Sequence, residues 1–333
     1  MSATGPRAKA TARQRWNKPT AIMLPRFGDS LSFLYLDIMR VVQDDTGVDA
    51  VVEAPGGGEQ RVAIPTAALS CLLLGPGTSI TARALGTLAR HGTTVLCVGV
   101  GGVRCYAAIA PTDTTSRWLE LQARGWADDA TRLAVAKRMY ALRFGTPPAD
   151  ATTIDALRGH EGDRMKALYK TLAQAHHVPA FRRSYDPNDW DTQTPVNRAL
   201  SAGNSCLYGI AHAAINALGC SPGLGFVHTG TTMSFVRDIA DLYKAEHTLP
   251  LAFSLHTSDD PEGEARRSFR EKLRLVKLLP RIVADVQNLL DPDADTRERL
   301  EDAEDSVAEM ANLWDPERGW VAGGVNYGGT EAS

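Results

Sequence analysis

VRCYAAIAPTDTTSRWLELQARGW, residues 103–126, changes its period halfway through. Before Pro111 the apolar residues run together as in a buried strand, and after Thr114 they recur three or four apart, as on one face of a helix. The short polar, proline-led stretch from Pro111 to Thr114 separates the two halves. Upstream of this break lie SFLYLDIMRVV (32–42), VDAVVEA (48–54), QRVAI (60–64), CLLL (71–74) and TTVLCVGV (93–100), which read as strands. Ala54 to Glu59, APGGGE, reads as a hairpin loop, and TARALGTLARHG (81–92) as a helix stopped at Gly92. Downstream, residues 130–145, 151–177, 195–219 and 233–247 all carry helical spacing, and a basic helix is expected over 264–286. The fold class expected is α+β: a small β-rich, sandwich-like domain over 26–109, followed by a larger all-α domain over 112–314. Residues 1–25 are expected to form a flexible arm and 315–333 a glycine-rich tail.

The chain has 333 residues, enough for two cores, with 44% hydrophobic and 23% charged residues, which excludes wholesale disorder. Its formal net charge of −3 means that any grip on nucleic acid has to come from local basic patches. The five cysteines, Cys71, Cys97, Cys105, Cys206 and Cys220, are odd in number and lack CxxC spacing, so reduced thiols and a cytoplasmic location are expected. No apolar run approaches the roughly 20 residues that cross a bilayer, and no membrane association is expected. Gly99 to Gly102 follows a strand but lacks the spacing and the helix of a dinucleotide-binding loop.

Three segments carry candidate chemistry. Glu161 lies on the apolar stripe of Leu157, Met165, Leu168 and Leu172. A carboxylate there is costly unless it is paired or bound to a cation. Pairing with Arg158 or Arg164 is the bland alternative, and Gly162 beside it leaves room for another group to approach. His228 sits in a loop between glycines, as a ligand or as a hydrogen-bonded structural residue. Asp238 and Asp241, three apart, share one side of a helix that Thr232 or Ser234 could cap, and acids near a helix start are also favoured by its dipole. Taken together, the carboxylates and the imidazole suit one Mg2+ or Mn2+ ion, and the absence of a thiolate or HExxH pattern argues against zinc.

RGHEGDRMKALY (158–169), SYDPNDW (184–190), SCLYG (205–209), GFVHTG (225–230) and MSFVRDIADLYK (233–244) occur in this order, and with them the chain resembles the CRISPR adaptation integrase in its type I-E form. The resemblance runs from about residue 31 to about residue 285. It implies a β-sandwich-like domain followed by a helical one. It also implies a metal held by Glu161, His228 and Asp241, with Asp238 close by and needed for activity. The implied activity is insertion of new spacers into a CRISPR array: the 3′-hydroxyl of captured double-stranded DNA attacks a phosphodiester of the repeat. A homodimer, with two dimers clamping a dimer of the small second CRISPR-associated protein, is the implied assembly. Tyr185, Trp190 and Tyr208 match positions lining the same site, and Arg104 a basic position of the DNA-binding surface. Arg164, Arg182 and Arg183 are candidates for phosphate contact. The helix carrying Arg266, Arg267, Arg270, Lys272, Arg274 and Lys277 is the candidate for the DNA backbone. A nuclease that cuts without joining, and a non-catalytic DNA- or protein-binding scaffold, are the competing readings.

Overall fold

The computed structural model describes residues 20–24, 33–45, 47–53, 57–102, 104–111, 115–145, 151–179, 181–183, 193–276, 278–292, 312–315 and 319–322. Strands β1 (Thr20–Leu24), β2 (Phe33–Asp37), β6 (Cys71–Leu74), β8 (Thr94–Val98) and β9 (Cys105–Ile109) form one sheet in the order β1-β2-β6-β8-β9. Its β2-β6-β8 centre is parallel and its two flanking strands are antiparallel. Strands β3 (Arg40–Gln43), β4 (Val48–Glu53), β5 (Glu59–Ala63) and β7 (Ser79–Ile80) form the second sheet, in the order β5-β4-β3-β7. The first sheet is covered on both faces, which is why CLLL carries no polar alternation. Leu34, Leu36, Leu72, Leu74 and Val95 face Val41, Val48 and Ala50 of the second sheet, together with Ala84 and Leu88 of helix α1 (Ala82–Arg90). Phe33, Cys71, Leu73, Leu96 and Val98 face the helical part.

SFLYLDIMRVV, read as one strand, is two strands in two sheets. The chain turns between them at Ile38, where φ is 56°, a conformation rare for a β-branched residue. No glycine or proline announces this corner in the sequence. Thr20–Leu24, placed in the expected arm, pairs with β2. The expected tail contains part of an antiparallel hairpin, β10 (Asn312–Asp315) with β11 (Gly319–Ala322).

The helical part comprises α2 (Arg117–Ala127), α3 (Asp129–Phe144), α4 (Ile154–Ala175), α5 (Pro195–Ala217), α6 (Ser234–Tyr243), α7 (Leu249–Ser254), α8 (Pro261–Val276) and α9 (Leu278–Leu290). Helix α5 is apolar almost all round and lies at the centre, against α6, α7, α8 and α9. Thr194 caps its start by accepting from Asn197 N at 3.3 Å, with Pro195 in its first turn, where the missing N–H costs nothing. The basic segment expected as one helix is helical over α8 and α9, and residue 277 between them lies outside the described residues. One π-helical turn, Lys244–Thr248, joins α6 to α7, a local widening often found beside functional groups. No helix of the described residues is long and apolar enough to cross a membrane, and all five cysteines are free thiols.

Candidate functional site

The loop of residues 220–233 is pinned before it presents anything. Gln122, fully buried on α2, donates from Nε2 to Ser221 O at 2.8 Å and Leu224 O at 3.1 Å, and accepts from Ser221 N at 2.7 Å. Arg132 on α3 donates from Nε to Phe226 O at 3.0 Å. Phe226 is sunk in the core edge-on to Phe235, with ring centroids 5.8 Å apart. A Cβ at Gly225 would lie 2.4 Å from His228 O and 2.8 Å from the Ser234 carbonyl carbon, so only glycine allows the loop to fold back this closely.

Asp238 completes the clamp. Its Oδ2 accepts from Phe226 N at 2.6 Å and Val227 N at 3.0 Å, and its Oδ1 from His228 N at 2.9 Å. The same Oδ1 lies 2.7 Å from His228 Nδ1. The carboxylate side chain is wholly buried, and these four hydrogen bonds offset its desolvation. With Nδ1–H engaged, the Nε2 lone pair of His228 is the one left to face a ligand. The hydrogen bond to Asp238, opposed by burial and aided by the charges of Asp238 and Asp241, raises the imidazole above its ordinary pKa. Neither Thr232 nor Ser234 caps α6 as expected: Met233 occupies the cap position, and the Ser234 hydroxyl donates to Thr231 O at 2.8 Å.

Glu161, on α4, is paired, but with neither Arg158 nor Arg164. Its Oε1 meets Arg143 Nη1 of α3, and its Oε2 accepts from the Tyr140 hydroxyl at 2.8 Å. Burial, then the charge of Glu161, hold the Tyr140 hydroxyl above its ordinary pKa and therefore protonated as a donor. Gly162 has open space beside it, since a Cβ there would meet nothing within 4 Å among the described residues. Asp241 Oδ2 lies 3.8 Å from Arg143 Nη1. Its Oδ1 is buried against Lys244 Nζ, paired by charge without the direction of a proper hydrogen bond. Lys244 also donates to the Tyr208 hydroxyl at 2.8 Å. Burial acts to lower this ammonium, but Asp241 and Tyr208 beside it outweigh burial and keep it above its ordinary value.

Glu161, His228, Asp238 and Asp241 thus line one small cavity together with Tyr140 and Arg143. Among the described residues no three acidic, imidazole or thiol groups close around a single point. Arg143 lies between Glu161 and Asp241 instead. The donor set fits a divalent ion in chemistry, with two carboxylates and an imidazole nitrogen whose tautomer is fixed from behind. In placement, the position between the two acids is taken by the Arg143 guanidinium.

Of the expected nucleic-acid contacts, Tyr208 reaches this site through Lys244. Arg182 is exposed beside a cleft of about 480 Å³ lined by Lys166, Tyr169, Lys170, Phe181 and Arg183. Arg183 is engaged internally, donating to Asn197 Oδ1 at 3.0 Å and Ser201 Oγ at 3.2 Å. Arg164 lies over the Phe144 ring at 5.2 Å, and Arg104 is exposed ahead of β9. Arg266 pairs with Glu262 at 3.2 Å and Arg267 with Asp260 at 3.2 Å, so both are partly neutralised. Tyr185, Trp190 and Lys277 lie outside the described residues, as do the side chains of Arg270, Lys272 and Arg274.

Sequence reasoning missed Tyr140, Arg143 and Lys244. Their signals were present: Tyr140 and Arg143 continue the buried stripe of Val135, Ala136 and Met139 on α3, and Lys244 stands three residues after Asp241.

Comparison with known proteins adds a family. A profile described as "CRISPR associated protein Cas1" matches residues 145–261, the span that holds Glu161, His228, Asp238 and Asp241. The chain is 43% identical over 317 residues to the CRISPR-associated endonuclease Cas1 2 of Thermus thermophilus, covering 92% of this chain and 93% of that protein. It is 36% identical to the CRISPR-associated endonuclease Cas1 of Escherichia coli, covering 79% of this chain and 85% of that one. Among solved structures, a TtCas1–DNA complex superimposes with a TM-score of 0.72 at 42% identity, over 80% of this chain and 99% of that one.

Proposed function

Because this chain belongs to the CRISPR-associated Cas1 family, we propose that it is a divalent-metal-dependent DNA endonuclease and integrase that inserts new spacers into a CRISPR array. The observation that carries the reading is the meeting of Glu161, His228 and Asp241, drawn from α4, the 220–233 loop and α6, at one cavity. The relatives named as endonucleases and the DNA-bound relative support it. The motifs at 158–169, 225–230 and 233–244 further support the type I-E form.

Glu161, Asp241 and Nε2 of His228 would hold Mg2+ or Mn2+. Such an ion, when bound, polarises a phosphoryl oxygen and stabilises charge on the attacking and leaving oxygens. Asp238 serves as a positioning residue: it touches no substrate and instead fixes the tautomer of His228 and the backbone behind it. Tyr140 holds one oxygen of Glu161 and so orients the other. The Lys244 ammonium, held beside Asp241 and Tyr208, offsets negative charge gathering on the phosphoryl group. Arg182 and the lysines of its cleft, with Arg104 and the α8 arginines, supply local positive charge for the duplex that the whole chain's charge of −3 does not. The 3′-hydroxyl of the captured fragment forms one phosphodiester as another breaks, and this exchange requires no external energy source. The assembly proposed is a homodimer, two of which flank a dimer of the small second CRISPR-associated protein.

A joining assay tests the reading. An end-labelled duplex is incubated with a repeat-bearing supercoiled plasmid, the second CRISPR-associated protein and Mg2+ or Mn2+. Wild type gives plasmid-joined label, and Glu161→Ala, His228→Ala and Asp241→Ala each abolish it. Cleaved plasmid without joined label would establish a plain nuclease, and unaltered activity in all three variants would establish a scaffold.

A further inference from the structure

Arg143 is a charged residue with no task in the reading above, and its surroundings are unusual. Its side chain is only 6% exposed, at the end of α3. Nη1 pairs with Glu161 Oε1 and stands 3.8 Å from Asp241 Oδ2, so one guanidinium nitrogen serves both carboxylates. Among the described residues Nη2 meets the Met165 thioether, a weak acceptor, at 3.3 Å. Nε is buried and has no hydrogen-bond partner among the described residues. A buried arginine that merely stabilises a fold spends its five donors on well-directed acceptors. Arg183 does so at Asn197 and Ser201. Arg143 instead directs one strong hydrogen bond, to Glu161, and lays its face against the Phe144 ring at 4.7 Å.

We propose that Arg143 is the resident counter-cation of the metal seat: it neutralises Glu161 and Asp241 when no divalent ion is bound, and must withdraw from them when one binds. The electrostatics require a choice. Without any cation the two carboxylates would face each other across a small cavity at a cost in repulsion and desolvation. With both a guanidinium and a divalent ion between them, the two cations would repel each other at contact distance in a poorly solvated space. Glu161 Oε1 and Asp241 Oδ2 are therefore the oxygens that Arg143 has to release to the ion, while Tyr140 holds the other oxygen of Glu161 and Lys244 faces the other oxygen of Asp241. This lowers metal affinity by the free energy of that release, and it keeps the fold intact in the ion's absence.

This inference rests on the metal-dependent reading of the site, and the test separates the two. Mn2+ binding to the full chain is measured by isothermal titration calorimetry, and thermal unfolding is followed with and without Mn2+, for wild type, Glu161→Gln, Arg143→Met and Arg143→Gln. Arg143→Met removes the charge at similar length, and Arg143→Gln keeps a neutral donor for the carboxylates. Both are expected to bind Mn2+ about tenfold more tightly than wild type, equivalent to about 1.4 kcal/mol. Both are also expected to melt lower than wild type without Mn2+ and to gain more on its addition. A variant that is unfolded alone and folds with Mn2+ gives the same answer. Equal or weaker Mn2+ binding in both variants, or failure to fold even with Mn2+, overturns the role assigned to Arg143. Wild-type binding that Glu161→Gln leaves unchanged, or no binding at all, overturns the metal reading itself.

Discussion

Asp238 carries more of the site than its neighbours do, although it has no ligand role. One carboxylate satisfies three successive backbone N–H groups and one imidazole nitrogen. Asp238→Asn keeps the size but turns one acceptor into a donor facing donors. The expected cost is about 2–3 kcal/mol of stability in urea unfolding, from the loss of charge-assisted hydrogen bonds. Mn2+ affinity should fall about 10- to 100-fold as the imidazole loses its support. The same pair sets a pH dependence. His228 titrates above its ordinary value in the fold and near ~6.5 when unfolded. The imidazolium–Asp238 pair therefore stabilises the native state fully below about pH 6.5, and this contribution is lost as pH rises through the raised native value. Measured without divalent ions, the Tm difference between wild type and His228→Gln should shrink across that rise, and a difference independent of pH would contradict the pairing. At this scale the sequence spoke through misplacement: Glu161 was visible as a carboxylate on an apolar stripe. Arg143 obeyed the same rule on α3 and passed unnoticed, because Arg158 and Arg164 stood nearer to Glu161 in the chain.

The elements that matter most are the 220–233 loop and the helices that hold it. Gln122 from α2, Arg132 from α3 and Asp238 from α6 fasten one loop at three places, and the tight fold-back at Gly225 lets them do so. Gly225→Ala would push a methyl group into the backbone at His228 and Ser234 rather than into a movable side chain. A loss of about 1–3 kcal/mol in denaturant unfolding is expected, with weakened Mn2+ binding. Unchanged stability would show that the loop yields easily. Helices were legible because their apolar period is strong, as along α5, and their boundaries followed caps such as Thr194. The corner at Ile38 was not legible, since a positive φ there is imposed by the two sheets and not by local sequence.

Over the whole molecule, a parallel-centred sheet shares one face with a second sheet and the other with the helical part, and the site lies between the core that joins sheet to helices and a smaller cluster of Ala136, Tyr140, Ala151 and Leu157. This layering followed from the change of period at Pro111, whereas contacts between distant segments, such as Arg143 with Glu161, could not be read from spacing. With a net charge of −3, the DNA binding proposed for this chain must come from patches and fall steeply with salt. Arg182→Ala should weaken duplex binding and reduce the slope of log K against log salt by about one, because Arg182 is exposed at a basic cleft. Arg183→Ala should chiefly cost stability, because its guanidinium is spent on α5. Fluorescence anisotropy across a salt series distinguishes the two. The most direct measurement of all is anomalous scattering from crystals soaked in Mn2+. The account predicts one strong peak within about 2.0–2.4 Å of Glu161, Asp241 and His228 Nε2, with the Arg143 guanidinium moved off both carboxylates. A peak bound elsewhere, or Arg143 still bridging Glu161 and Asp241 at saturating Mn2+, would contradict it.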